Sequence, residues 1–82
     1  MYKVLKKNKE FQEFDRNKII NGVIKSGGSS EDGEKVALEV EKWLPAIVKN
    51  DIVNYSALKW KVLDSLRMVN LSAAKNFANY KK

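Results

Sequence analysis

The spacing of the apolar residues changes near Asp15, and that change restricts the fold more than any other feature of the chain. Tyr2 to Lys6 alternates with the two-residue period of a strand, with Tyr2, Val4 and Lys6 on one face and Lys3, Leu5 and Lys7 on the other. Beyond Asp15 the apolar residues recur every three or four positions, the spacing of helices that bury one side. A short strand region followed by helical periodicity leads to an α+β fold, in which a small N-terminal hairpin packs on about four short helices.

The hairpin turns at Asn8-Lys9 and returns through Phe11 to Phe14; Asn8 tolerates a left-handed backbone better than most residues. Its apolar face, with Val4 or Leu5, Phe11 and Phe14, must rest on the helices, because so small a sheet has no core of its own. Asp15 is a good N-cap for a first helix with the stripe Ile19, Ile20, Val23 and Ile24, ended by Gly27-Gly28. Ser29-Ser30-Glu31-Asp32 opens a second helix on Val36, Val40, Trp43 and Leu44, which Pro45 stops or bends. Ile52-Val53 can add a third short strand before a helix on Leu58, Val62, Leu66 and Val69. Ser72 can cap a last helix on Ala73, Ala74, Phe77 and Tyr80.

With 82 residues the chain reads as one domain, 1–82, that must recruit nearly every apolar side chain to a single core. Cysteine and histidine are both absent, which removes zinc fingers, thiol nucleophiles and histidine general bases. No catalytic set remains, so a non-enzymatic role is expected. Met1-Tyr2-Lys3 is not followed by the apolar core of a signal peptide and no run approaches a membrane span, so a cytoplasmic location is expected. The formal charge of +6 favours an anionic partner. Carboxylates concentrate between Glu31 and Glu41 and lysines at the two ends, which directs binding to the ends.

Lys6, Lys7 and Lys18, with Arg16 nearby, form the most informative constellation. A hairpin running straight into a helix brings strand-end lysines toward that helix's N-terminus, where ammonium groups and unpaired N–H groups both favour phosphate. The plainer reading is that edge lysines only block strand-to-strand aggregation. Gln12 can both accept from and donate to a purine edge, and Asp15 can accept from it; an exposed strand residue and a helix cap explain the same two residues. Ser26-Gly27-Gly28-Ser29-Ser30 lacks the lysine of a phosphate loop and has Glu31-Asp32 in its place, so it reads as helix stop and helix start. Trp43 and Trp60 sit at helical spacing among apolar residues, which favours packing over base stacking, and Trp60 lies off the main stripe. The carboxylates Glu31, Asp32, Glu34, Glu39 and Glu41 read as a solvated face.

The run Val4-Leu5-Lys6-Lys7-Asn8-Lys9-Glu10-Phe11-Gln12-Glu13-Phe14-Asp15-Arg16-Asn17-Lys18-Ile19 resembles the opening of the ATP-cone domain, the allosteric nucleotide-binding module of ribonucleotide reductases and of their transcriptional repressor. Similar residues continue through Gly27-Gly28-Ser29, Val36, Val40, Trp43-Leu44, Ile52 and the closing Phe77-Ala78-Asn79-Tyr80-Lys81, so the resemblance covers nearly the whole chain. It departs at the turn, usually Asp-Gly in the family, and at Gln12, where a carboxylate is common. The resemblance implies an allosteric ligand, ATP or dATP with or without Mg, and no redox cofactor. Lys6, Lys7 and Lys18 are then expected at the phosphates, Gln12 and Asp15 at adenine, Ile19 beside them, Tyr55 and Lys59 closing the site, and Lys81 joining it. It also implies a second copy or a ribonucleotide reductase-type partner, whether the domain stands alone or belongs to a longer chain. Two other readings stay open: a degenerate cone kept for oligomerisation, and a small basic nucleic-acid-binding protein.

Overall fold

A computed structural model of the chain describes residues 2–79. The order is β1 (Lys3–Leu5), β2 (Phe11–Glu13), α1 (Arg16–Lys25), α2 (Ser30–Ile47), β3 (Ile52–Asn54), α3 (Tyr55–Val69) and α4 (Leu71–Asn79). The architecture is α+β, a three-stranded sheet on a four-helix bundle, as the change in apolar period predicts. β1 is the central strand, antiparallel to β2 and parallel to β3.

The register decides which side chains face the helices. Val4 stands opposite Gln12 on one side and Val53 on the other, and Val4 and Val53 are both buried, so Gln12 shares their inward face. Leu5 pairs with Phe11 on the outer face, and Phe11 is 57% exposed. Of the two hairpin phenylalanines expected against the helices, Phe14 packs there and Phe11 does not: positions 11 and 14 differ by an odd number, which a two-residue period assigns to opposite faces.

The hairpin closes without glycine. Lys9 donates its N–H to the Lys6 carbonyl (3.0 Å), Lys6 donates to Glu10 (2.9 Å), and Asn8 Oδ1 accepts from the Glu10 N–H (3.0 Å). This is a tight turn followed by a bulge, with Lys9 rather than Asn8 carrying the left-handed backbone at φ 72°. The left-handed pair Asn50-Asp51 makes the second tight turn, bringing the chain from α2 into β3.

α2 is the centre of the bundle. Val36, Ala37, Val40 and Leu44 are fully buried, and both α1 and α3 pack on this helix. Pro45 does not stop it: the helix runs two residues further, to Ile47. Proline lacks an N–H, so it cannot donate to the Glu41 carbonyl, but the ladder resumes beyond it, with the Val48 N–H donating to the Leu44 carbonyl at 3.0 Å. Trp43 packs against the core, whereas Trp60 is 59% exposed.

Ser29 and Asp32 form a reciprocal capping box at the start of α2. The last helix is capped by Asn70 and not by Ser72, which lies inside α4; Asn70 Oδ1 accepts from the Ala73 N–H at 3.0 Å. The Asn70 amide also donates to Asp32 (3.1 Å), and the Asn76 amide donates to the Ser26 carbonyl (2.9 Å). These two bonds tie α4 to the junction of α1 and α2.

α1 and α2 approach closely at Gly33, where a Cβ would stand 2.9 Å from the Ile20 Cα. Gly33→Ala should therefore force α1 and α2 apart and lower stability by about 1–3 kcal/mol in a urea melt, against the helix propensity gained by alanine. The Asn70 amide, followed by the Ser29 N–H, holds the Asp32 carboxyl below its ordinary value of 3.8. A depressed carboxyl stabilises the fold above its unfolded pKa and loses that contribution as pH falls through the folded value. Denaturation below about pH 4 should show wild type and Asp32→Asn converging, with wild type the more stable at neutral pH.

Candidate functional site

A cavity of about 440 Å³ opens between the hairpin, α1, α3 and α4. It falls within the roughly 300–1,000 Å³ of sites that hold small molecules. Each wall follows from a periodicity. β2 and the link after it contribute Gln12, Glu13, Phe14 and Asp15. Lys18, Gly22 and Lys25 fall on one stripe of α1 at intervals of four and three residues, and all three line the cavity. α3 contributes Tyr55, Leu58, Lys59 and Val62, the same spacing again. Phe77 of α4 forms the far wall, and Val4 and Ile19 add buried apolar surface.

Most of the residues anticipated from the sequence meet here: Gln12, Asp15, Lys18, Ile19, Tyr55 and Lys59 all line the cavity. Lys6 and Lys7 do not. They sit exposed at the hairpin tip, where β1 has ended and the turn has begun. Lys81 lies outside the described residues. Lys25 and Phe77 line the cavity without having been singled out as ligand-binding; spacing of seven residues from Lys18 is the signal for Lys25, since two helical turns return it to the same side.

Arg16 is committed elsewhere. Its guanidinium bonds Glu41 (3.0 Å) and Glu34 (3.1 Å) across the contact with α2, and these carboxylates, Glu41 first, raise its pKa above the ordinary value. By contrast, Lys18, Lys25 and Lys59 form no salt bridge among the described residues. The cavity thus has an apolar floor, Gln12 with two carboxylates toward the hairpin, and three lysines along its helical walls.

The two helix starts at the cavity differ. Asp15 Oδ1 accepts from the Asn17 N–H (3.0 Å), so α1 begins with its own carboxylate in place. Asn54 makes no side-chain cap to α3, whose first N–H groups have no such carboxylate on them. Ser26-Gly27-Gly28 is a helix terminus: Gly27 has φ 102°, and a Cβ on Gly28 would come within 2.6 Å of Val23 Cγ1.

Among the described residues, no three carboxylates lie close enough together to hold a metal ion, and no helix is long and apolar enough to cross a membrane. Compared with protein-family models and with curated proteins, the chain finds no match.

Capping and charge at Asp15 separate by substitution. Asp15→Asn keeps an acceptor on the Asn17 N–H and should leave stability within about 0.5 kcal/mol, whereas Asp15→Ala should lose about 1 kcal/mol. Equal losses in chemical denaturation would show that the charge, and not the cap, matters to folding.

Proposed function

We propose that this domain is a non-catalytic sensor that binds a purine nucleoside triphosphate, ATP or dATP, in the cavity between the hairpin and helices α1 and α3. The observation that carries this reading is the cavity's composition. Lys18, Lys25 and Lys59, without carboxylate partners among the described residues, surround an apolar floor that has Gln12 and Asp15 at one edge. A nucleotide has the same two-part character, a flat base with amino and ring-nitrogen groups joined to a concentrated negative charge. Gln12 can accept from an adenine amino group while donating to a ring nitrogen, and Asp15 can accept from the same edge. Tyr55 and Phe77 offer aromatic surface beside them.

The resemblance of residues 4–19 to the ATP-cone opening supports the same reading and supplies the biological setting, regulation of a ribonucleotide reductase or of its expression. Binding would act by differential contact and needs no hydrolysis: a ligand touching the hairpin and both helices favours the arrangement in which all three close on it. The surface so changed would face a second copy of the domain or a larger partner.

ATP at one hundred times its dissociation constant should stabilise the fold by about 2.7 kcal/mol and raise the melting temperature by roughly 10–20 °C. Lys18→Ala should weaken binding at least about tenfold, or about 1.4 kcal/mol. A melting temperature that ignores ATP and dATP while the protein binds duplex DNA with a steep salt dependence would replace this reading with a nucleic-acid one.

A further inference from the structure

The sheet has a second face, turned away from the helices. Val4, Gln12 and Val53 take the inward positions, so alternation puts Phe11, Leu5 and Asn54, which stand abreast in the register, on the outward side. The Lys6 N–H donates to Glu10 and the Phe14 N–H to Tyr2, which makes Leu5 and Phe11 a pair without hydrogen bonds, where side chains come closest. Phe11 is 57% exposed there, and Leu5 beside it is half-buried. The same register turns the Phe11 and Glu13 main-chain N–H and carbonyl groups out of the open edge of β2. The opposite edge of the sheet is closed, because Lys49 and Ile52 exchange main-chain bonds of 3.2 and 3.0 Å across the Asn50-Asp51 turn. Asn54 is exposed, and its amide makes no cap bond to α3. Lysines ring this row: Lys3 on β1, Lys6, Lys7 and Lys9 at the hairpin tip, and Lys49 at the closed edge. All are exposed, and none forms a salt bridge among the described residues. Against these five, the strands and their turns carry three carboxylates, Glu10, Glu13 and Asp51, so the face is net positive.

We propose that this outward face binds single-stranded RNA: a base stacks on Phe11, the Asn54 amide reads the edge of a neighbouring base, and Lys3, Lys7, Lys9 and Lys49 take the phosphates. The site is separate from the cavity, because Gln12 and Phe11 of the same strand face opposite sides. An exposed ring among ammonium groups is what a single strand requires, since every base has a stacking face and every link carries a charge. Phe11 lines neither the main cavity nor the smaller hollow at Ile47 and Ala57. An acidic peptide would need hollows for its apolar anchors, whereas a projecting ring suits stacking. In a duplex the bases stack on one another and offer no free face to the ring, so the strand must be single. Ribose is favoured over deoxyribose because the open β2 edge sets unpaired N–H and carbonyl groups next to Phe11, partners for a 2′-hydroxyl. Lysines placed only to prevent strand-to-strand aggregation do not account for the exposed ring, since a large apolar side chain on an edge strand works against that protection.

Fluorescence anisotropy with a labelled, mixed-sequence single-stranded RNA of about ten nucleotides, at about 50 mM salt, tests the proposal. Phe11→Leu keeps an apolar side chain at an exposed position but removes the ring, and should weaken binding about tenfold; Phe11→Trp should hold or raise the affinity. The Lys3→Gln/Lys9→Gln double variant should reduce the salt slope by about 1.4, at about 0.7 for each phosphate contact on a single strand. Excess unlabelled ATP should not displace the strand. The proposal is overturned if the strand does not bind, if Phe11→Leu binds like wild type, or if ATP displaces the strand. A deoxyribose strand of the same sequence that binds more tightly overturns the assignment to RNA. Polyglutamate that binds through Phe11 where RNA does not bind gives the face to an acidic protein instead. None of these outcomes decides whether ATP occupies the cavity, which the shift in melting temperature reads separately.

Discussion

The arrangement depends on the burial of one apolar stripe. Val36, Ala37, Val40 and Leu44 run along α2 with no exposed surface, and α1 and α3 both pack against that helix. Each fully buried valine or leucine contributes about 1.5–3 kcal/mol, so in so small a domain this stripe is a large part of what holds the fold. Because α2 fixes α1 and α3 from behind, their remaining faces open toward one another under the hairpin. The cavity is the space the small sheet does not fill. Gly33 sharpens the arrangement by letting α1 approach α2 to backbone contact.

Charge is distributed according to the same division. On the α2 side, Arg16 is matched to Glu34 and Glu41, and Asp32 accepts from Ser29 and Asn70, so charge there serves helix joining and capping. Exposed pairs of this kind contribute little to stability one by one, but they remove the strongest cation of α1 from competition for an outside anion. On the opposite side, Lys18, Lys25 and Lys59 have no such carboxylate partners among the described residues. Five of the ten acidic residues lie on α2, and at the cavity three lysines face two carboxylates, Glu13 and Asp15.

Much of this was legible in the sequence because it depends on periodicity and local chemistry. The two-residue alternation at Tyr2 to Lys6 located β1, the caps at Asp15 and Ser29 located two helix starts, and Ile52-Val53 lay where β3 forms. Six of the anticipated ligand residues line one cavity, since Gln12 is on the inward face of its strand and Lys18, Tyr55 and Lys59 are on inward turns of their helices. What was not legible depends on where elements end. Lys6 and Lys7 were separated from Lys18 because β1 stops at Leu5 and the turn carries them away. Arg16 was drawn off by Glu34 and Glu41, residues 18 and 25 positions along the chain, which no local pattern reveals. The cap at Asn70 is local, three residues before Ala73, and Ser72 competed with it as an equally good capping residue; its bond to Asp32, 38 residues distant, is what no local pattern reveals.

The central claim is that the space between α1 and α3 is a nucleotide site, and amide chemical-shift mapping during an ATP titration tests it most directly. The account predicts that the largest changes fall on Gln12, the Lys18 to Lys25 stripe, the Tyr55 to Val62 face of α3 and Phe77, with outward residues such as Leu38 and Met68 unmoved. Spectra that stay the same at millimolar ATP, or shifts confined to the outer surface around Trp60 and Met68, would contradict it.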